Sequence, residues 1–328
     1  MADTIKKERI FMTGASGYIG SVITEFAIAD GYEVYGLSRS EKNDEKLKNL
    51  GAVPVRGDLT SVDVLRREAA AADIVIHLAD PFNFDPAANY DDVIKIQAAV
   101  ADAFADSMQG TGKALVMTSG TLMAAPSPNG AETDETAPVY ENTIVPRYRV
   151  EQYDLTLAKK GIKVSTIRLP PYVYGRGGSG IRLFMGISAK NGHVLCVDEG
   201  KSHTTSVHVD DAARLYLLAA KKAKAGSIFN ATESTNVTQR QLADAMSQIL
   251  DVPVKSLTLE EATATLGKFF AGFLSMSNRS SSAKAKKELG WEIREKAGVV
   301  EEIKSGSYLA VAQGIKSGVV GEDGSHGD

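Results

Sequence analysis

Thr13-Gly14-Ala15-Ser16-Gly17-Tyr18-Ile19-Gly20 is the stretch on which the reading of this chain turns. The apolar run Ile10-Phe11-Met12 precedes it and an amphipathic segment, residues 21–30, follows it, so the three glycines stand at a strand-to-helix turn. Gly14 permits the tight turn, Gly17 lets the backbone approach a pyrophosphate, and Gly20 lets the helix pack closely on the strand. The unpaired N–H groups of the first helical turn then face the phosphates. A glycine triplet alone is a weak signal. In this context it predicts a dinucleotide held by Gly14, Ser16, Gly17, Tyr18, Ile19 and Gly20.

Outward from that turn, short apolar runs alternate with amphipathic stretches. The runs are Ile10-Phe11-Met12, Val34-Tyr35-Gly36-Leu37, Val53-Pro54-Val55, Ile74-Val75-Ile76-His77-Leu78, Leu115-Val116-Met117 and Val164-Ser165-Thr166-Ile167. Helices are predicted over residues 21–30, 61–70, 90–108 and 149–159. Most of the runs are continuously apolar, as strands covered on both faces should be. The βα alternation over residues 8–169 predicts an α/β fold, a Rossmann-type doubly wound parallel sheet. After Leu169 the texture changes to Pro170-Pro171-Tyr172-Val173-Tyr174-Gly175 and then to more helix, which predicts a smaller, mostly helical substrate lobe. The expected division is 1–170 for the dinucleotide-binding domain, 171–315 for a lobe interleaved with it, and 316–328 for a flexible tail. Thr238 and Gln241 form a capping box that opens a helix through Leu250. Residues 260–276 carry a helical stripe of Leu266, Phe269, Phe270, Phe273 and Leu274, read as core or as the lining of a pocket.

Composition narrows the class. With 328 residues, 43% hydrophobic and 24% charged, the chain is an ordinary globular one with a substantial core. A formal net charge of −4 and 7% aromatics offer no concentrated positive field, so nucleic acid is not an expected partner. The single cysteine, Cys196, forms no internal disulfide, and five histidines without CxxC or HExxH give no metal-ligand spacing. The N-terminus places charges where a signal peptide needs an apolar run, and no stretch reaches membrane-spanning length, so no membrane association and a cytoplasmic location are expected.

Further segments carry a resemblance: Gly57-Asp58-Leu59, His77-Leu78-Ala79, Thr118-Ser119-Gly120, Arg168-Leu169-Pro170-Pro171-Tyr172-Val173-Tyr174-Gly175, Val207-His208-Val209-Asp210-Asp211-Ala212-Ala213 and Glu288-Leu289-Gly290-Trp291. In this order and spacing, with Gly-x-x-Gly-x-x-Gly, the chain resembles the extended short-chain dehydrogenase/reductase family, the NAD(P)-dependent epimerase/dehydratase-like group, over most of its length. The resemblance implies that Asp58 and Leu59 lie at the adenine, Leu78 and Ala79 along the cofactor with Thr118, and Pro170, Tyr172 and Val173 near the nicotinamide. It implies structural roles for His208 and Asp210. A homodimer through the two long helices is the family-like expectation.

The end of the second strand decides between dinucleotides, because a carboxylate there accepts from the ribose 2′-hydroxyl and a cation pairs with a 2′-phosphate. Gly36-Leu37-Ser38-Arg39-Ser40 offers no acid, whereas Arg39 presents a planar fork and Ser38 and Ser40 add hydroxyls. NADP(H) is therefore favoured over NAD(H) on this reading.

Family enzymes pair Tyr-x-x-x-Lys with a Ser or Thr at the end of strand five, and this chain has no Tyr-x-x-x-Lys there. Alignment on Val150-Glu151-Gln152 puts Thr143 at the tyrosine position and Arg147 at the lysine position. Arginine supplies charge and ribose hydrogen bonds but does not give up its proton, and threonine is far too weak an acid to replace a phenol. The pattern resembles the atypical branch of the family that lacks the active-site tyrosine. Ser119, Thr121, Thr143, Arg147 and Tyr148 are the candidate catalytic residues, with Tyr172, Tyr174 and Asp80 beside them and Lys95 or His203 only if folded inward. Substrate-facing loops are expected near residues 82–85, 124–129 and 177–184. The leading expectation is an NADP(H)-dependent oxidoreductase acting on a small carbonyl, alcohol or conjugated substrate. The alternatives are an epimerase or dehydratase with tightly held cofactor, a non-redox lyase or isomerase, and a non-enzymatic dinucleotide sensor.

Overall fold

The computed structural model describes residues 7–82, 89–140, 143 and 145–318. Strands β1 (Arg9–Thr13), β2 (Glu33–Ser38), β3 (Val53–Arg56), β4 (Ile74–His77), β5 (Ala114–Gly120) and β6 (Lys163–Leu169) alternate with helices α1 (Tyr18–Ala29), α2 (Glu41–Asn49), α3 (Val62–Ala71), α4 (Tyr90–Met108) and α5 (Tyr148–Thr156). Then follow β7 (Tyr172–Tyr174), α6 (Ser179–Asn191), β8 (Val194–Val197), β9 (His203–His208), α7 (Val209–Lys222), β10 (Ser227–Asn230), β11 (Ser234–Thr238), α8 (Gln239–Leu250), β12 (Val254–Leu257), α9 (Leu259–Ser275), α10 (Ala283–Leu289), α11 (Val299–Ser305) and α12 (Tyr308–Lys316).

The chain divides into two compact units. One comprises Met1–Ser119, Pro146–Ile167 and Ala213–Phe229; the other comprises Gly120–Val145, Arg168–Ala212 and Asn230–Asp328. The first is built on a seven-stranded sheet of order β10-β6-β5-β4-β1-β2-β3. The pairs β1·β2, β1·β4, β2·β3 and β4·β5 are all parallel, the doubly wound arrangement predicted from the apolar runs. Phe11, Val75, Leu115 and Met117 pack against Val100 and Phe104 of α4 in its core.

A helix absent from the sequence reading, α2, fills the β2–β3 connection. Its nine residues carry one buried side chain, Leu47, so hydrophobic periodicity has little to register. Ser40 caps it by accepting from the Asn43 N–H at 3.2 Å. The helices predicted from residues 61 and 149 are found within a few residues of those bounds, and α4 matches its expected span.

The second unit carries a three-stranded sheet, β11-β9-β7, and a two-stranded one, β12-β8, surrounded by helices. The capping box of Thr238 and Gln241 is formed, and a second one, Thr258 with Glu261, opens α9. Gly267 takes φ +78° inside α9 and breaks it after Leu266. Phe270, Phe273 and Leu274 then pack on the core around Tyr172, Phe184 and Met246. Helix α12 continues to Lys316, one residue into the segment expected as tail, and residues 319–328 lie outside the described set. Among the described residues no helix is long and apolar enough to cross a membrane.

Candidate functional site

Strand order reverses between β1 and β4, and the carboxyl ends of such a pair open the crevice in which doubly wound folds bind ligands. Register sets Thr13 beside His77 at that edge. Gly14 follows with φ +73°, and a Cβ on it would stand 3.0 Å from the Ala79 nitrogen. A Cβ on Gly20 would collide with the Gly14 carbonyl, so α1 reaches the loop only because that residue is glycine. Gly17 caps α1 with extended backbone and no side-chain cap bond, and the first turn carries no acid. The helix start therefore keeps its positive end uncompensated by any cap or carboxylate, and this cradle fits a pyrophosphate.

Behind the loop lies a closed polar network. The Thr13 hydroxyl donates to His77 Nδ1 at 2.7 Å, and His77 Nε2 donates to Gln97 Oε1 at 2.6 Å. The amide oxygen of Gln97 thereby assigns the ring proton to Nε2. Burial pulls the His77 pKa down to about 4, so the imidazole is neutral. Thr13 Oγ1 receives the Ala79 N–H at 3.3 Å, and Gln97 Nε2 donates to the Ala79 carbonyl at 3.3 Å. Both polar backbone atoms of Ala79 are held.

Arg147, at the start of α5, has 15% of its side chain exposed. It ion-pairs with Asp80, and Nη2 donates to the Thr118 carbonyl at 2.7 Å. The other Asp80 oxygen accepts the Phe82 N–H at 2.9 Å. Burial lowers the Arg147 pKa, opposed by Asp154, Tyr216 and Glu151. Asp154, itself buried, is pushed well above the usual carboxylate range by desolvation, with Arg147 acting in the opposite direction. The Thr118 hydroxyl donates to the His77 carbonyl at 2.7 Å, so at the 2.8 Å contact with Tyr216 the phenol is the donor. Tyr216 is fully buried, and burial raises its pKa.

The structure thus joins Arg147 to Thr118 and Asp80 and sets Leu78 and Ala79 against Gly14. Ser16, Tyr18 and Ile19 are half-buried along the loop, and Leu59 is half-buried beyond β3. Ser119 is buried at the end of β5. Thr121 and Thr143 belong to the other unit; Thr121 donates to Asn278 Oδ1 and Thr143 to the Val145 carbonyl, each at 2.9 Å. Tyr148 opens α5, half-buried. In the second unit Pro170, Tyr172 and Val173 are buried. Tyr172 donates to Gln239 at 2.9 Å, and the Tyr174 hydroxyl lies 2.6 Å from Glu233 Oε2 and 2.8 Å from the Ala297 carbonyl. Arg176 grips both oxygens of Asp210, whose N–H donates to His208. Lys95 is exposed and paired with Asp92. Most of the expected loop at 82–85 lies outside the described residues.

Gln97, Tyr216 and Asp154 were not anticipated. Gln97 had a signal: it falls on the buried face of α4 among Val93, Val100 and Phe104, where a polar side chain requires a partner.

A family model of the NAD dependent epimerase/dehydratase family matches residues 10–232. The chain belongs to that family, whose chemistry is of oxidoreductase and epimerase type. It is 36% identical over 285 residues to an uncharacterized protein of Schizosaccharomyces pombe, covering 87% of this chain and 94% of that one. It is 26% identical over 243 residues to a decarboxylating sterol-4-alpha-carboxylate 3-dehydrogenase of Dictyostelium discoideum, covering 71% and 74%. Among solved structures, UDP-glucuronic acid 4-epimerase of Bacillus cereus with NAD superposes with a TM-score of 0.72 at 15% identity, covering 93% and 99%. UDP-glucose 4-epimerase of Thermus thermophilus with NAD gives 0.69 at 20% identity, with the same coverage. These likenesses establish the fold.

The preference for NADP(H) is corrected by these comparisons: both epimerase structures named above, and similar structures of MoeE5, are complexes with NAD. The local reason is the unforeseen helix. Ser38 donates to the Ser40 carbonyl at 3.1 Å and Ser40 caps α2, so both hydroxyls offered to a 2′-phosphate serve the turn. Arg39 stands exposed. Asp58 likewise serves its own turn, accepting from Thr60 and Ser61, which lowers its pKa.

Proposed function

We propose that this protein is an NAD(H)-dependent enzyme of the epimerase/dehydratase type, acting on a small hydroxyl- or carbonyl-bearing substrate, with the Asp80–Arg147 pair in place of a tyrosine–lysine couple. The observation that carries this reading is the ion pair itself, set at the ends of β4 and β5 beside the glycine loop. NAD(H), when bound, supplies the hydride acceptor and donor. Gly14, Gly17 and Gly20 hold its phosphates, and the anchored backbone at Ala79 fixes the crevice floor. Asp80, an anion, accepts a proton from the substrate hydroxyl and returns it to the carbonyl oxygen in the reverse direction. Arg147 orients Asp80 through the ion pair and takes no part in proton transfer. NAD(H) is supported by the solved structures named above, and return of hydrogen to the same substrate by the family match. A second reading, net dehydrogenation or reduction, draws support from the likeness to the sterol dehydrogenase.

The test begins with denaturation of purified protein and identification of the released dinucleotide. NAD carried in near-stoichiometric amount is the expected result. Secondary alcohols and ketones are then screened by nicotinamide absorbance. Asp80→Asn is expected to retain NAD and lose turnover on the order of a hundredfold. Undiminished turnover in Asp80→Asn removes the proton-transfer role, and protein unable to bind NAD removes the redox reading altogether.

A further inference from the structure

We propose that the second unit carries a binding site for a small organic ammonium ion, a primary alkylamine in its charged form, with the Glu233 carboxyl as its counter-charge. Glu233 immediately precedes β11 and lines an open cleft of about 520 Å³ between that strand and α11. Ser234 and Val237 form one side of the cleft, and Val299, Val300 and Lys304 the other. A volume of this order takes a molecule of one ring or a short chain. Every residue of the site belongs to the second unit.

Glu233 is half-buried, and both of its hydrogen bonds fall on Oε2, with the Tyr174 hydroxyl at 2.6 Å and the His208 N–H at 3.3 Å. Oε1 faces Gly298, where a Cβ would stand 3.8 Å away, an ordinary contact. Gly298 takes φ −67° and ψ 165°, angles open to any residue, so glycine answers no backbone demand here. Its effect is to leave Oε1 uncovered. Among the described residues no cation forms an ion pair with Glu233: Lys286 exerts the weakest of the influences on it, and Lys304, the one cation lining the cleft, is exposed. A carboxylate drawn out of water without a counter-charge is costly. A cation entering the cleft removes that cost.

The hydrogen bonds around Oε2 show how the carboxyl meets that cost without a cation. The Tyr174 phenol has one proton and two oxygens within reach, Oε2 and the Ala297 carbonyl at 2.8 Å. A carbonyl cannot donate, so both contacts are hydrogen bonds only while Glu233 carries a proton of its own and gives it to the phenol oxygen. Desolvation, assisted by Asp211, raises the Glu233 pKa to about 7, with Tyr174, the His208 N–H and Lys286 acting in the opposite direction. From α11, Glu301 and Lys304 face the cleft, while Glu302 is turned to Ser307. Without a cation Glu233 is therefore close to half-protonated near neutral pH. An ammonium group displaces the proton, sets an N–H donor on Oε1, and lays its alkyl part on Val237, Val299 and Val300. An anion meets Glu233 and Glu301 as like charges, and a neutral alcohol brings no counter-charge.

Cyclohexylammonium, cyclohexanol and cyclohexanecarboxylate are titrated into the full-length protein without added NAD. The methyl resonances of Val237, Val299 and Val300 are followed by NMR, and proton release by calorimetry in buffers of different ionisation enthalpy. The amine is expected to bind saturably and to shift those methyls. Its affinity should be about tenfold weaker near pH 6 than near pH 8, with about one proton released at the lower pH and little at the higher. Near pH 8 the alcohol and the carboxylate should each bind about tenfold more weakly than the amine, or less tightly still. Glu233→Gln should erase the proton release and the amine's advantage over the alcohol. Gly298→Leu, which leaves Glu233 in place, should cover Oε1 and weaken the amine by about tenfold or more. Lys304→Met, at an exposed position, should strengthen it about two- to threefold. The proposal is overturned by the lack of a saturable shift, by equal binding of amine and alcohol, by an affinity unmoved between the two pH values, or by unimpaired binding in Gly298→Leu. NAD titration of the same samples is read separately, so failure at this cleft and failure of the redox reading are distinguishable.

Discussion

The polar cluster at the ends of β4 and β5 and the apolar core among α6, α8 and α9 treat buried polar atoms in opposite ways. In the first, His77 has a partner on each ring nitrogen, and Arg147 meets Asp80 and the Thr118 carbonyl. In the second, the amide nitrogen of Gln239 stands unmatched among hydrocarbon walls. The difference follows from charge. Buried ions must be matched in one arrangement, because an unpaired charge costs several kcal/mol, whereas a lone neutral amide N–H is tolerated at about 1 to 3 kcal/mol.

The sharpest way to break this contrast is Arg147→Met. Removing the guanidinium leaves Asp80 without its counter-charge, and an expected destabilisation of about 3 to 5 kcal/mol would be read by urea denaturation. Gln239→Met removes a neutral amide whose oxygen accepts the buried Tyr172 hydroxyl and should cost less, about 1 to 3 kcal/mol. Equal losses in the two variants would dissolve the distinction.

Titration sharpens it next. His77 falls from an ordinary 6.5 to about 4 in the folded protein, so its contribution is complete above pH 6.5 and is lost as pH falls toward 4. Over that window it amounts to roughly 3 kcal/mol. Glu233 in the second unit moves the other way: desolvation lifts its carboxyl from 4.5 to about 7, so its contribution is complete below pH 4.5 and is lost as pH rises through 7. The slopes oppose each other where the windows overlap. Chemical denaturation across pH should show Glu233→Gln gaining stability more steeply with pH between 4.5 and 6.5 than the unmodified chain; an unchanged slope would refute the assignment. Gly20→Ala comes below these, at about 1 to 3 kcal/mol from its collision with Gly14, and should also abolish NAD binding in a direct titration. Smallest is Arg39→Ala, expected to leave NAD affinity unchanged.

Much of the first unit was legible because its signals are local. Six apolar runs became six strands of one sheet, five of them in the parallel pairs described above, and the glycine spacing announced its own turn. Helix α2 escaped because Glu41–Asn49 carries a single buried residue, and that omission misassigned Ser38 and Ser40 to a phosphate. The Asp80–Arg147 pair joins residues 67 positions apart, a distance over which no spacing rule operates. Thr143 was found by alignment, but its hydroxyl proton goes to a carbonyl two residues on, a geometry set by the turn and invisible in residue type. The aromatic stripe of α9 was legible as core or pocket lining; that Gly267 divides it required the backbone angle.

The clamp on Ala79 has a thermodynamic corollary. With its N–H tied to Thr13 and its carbonyl to Gln97, the two peptide groups that flank Ala79 are both anchored, and their ordering entropy was already lost when the chain folded. Dinucleotide association then freezes the ligand rather than the receptor. Calorimetry should find the entropy of binding growing more unfavourable when Gln97 is replaced by leucine, since the strand end must then be immobilised by the incoming molecule.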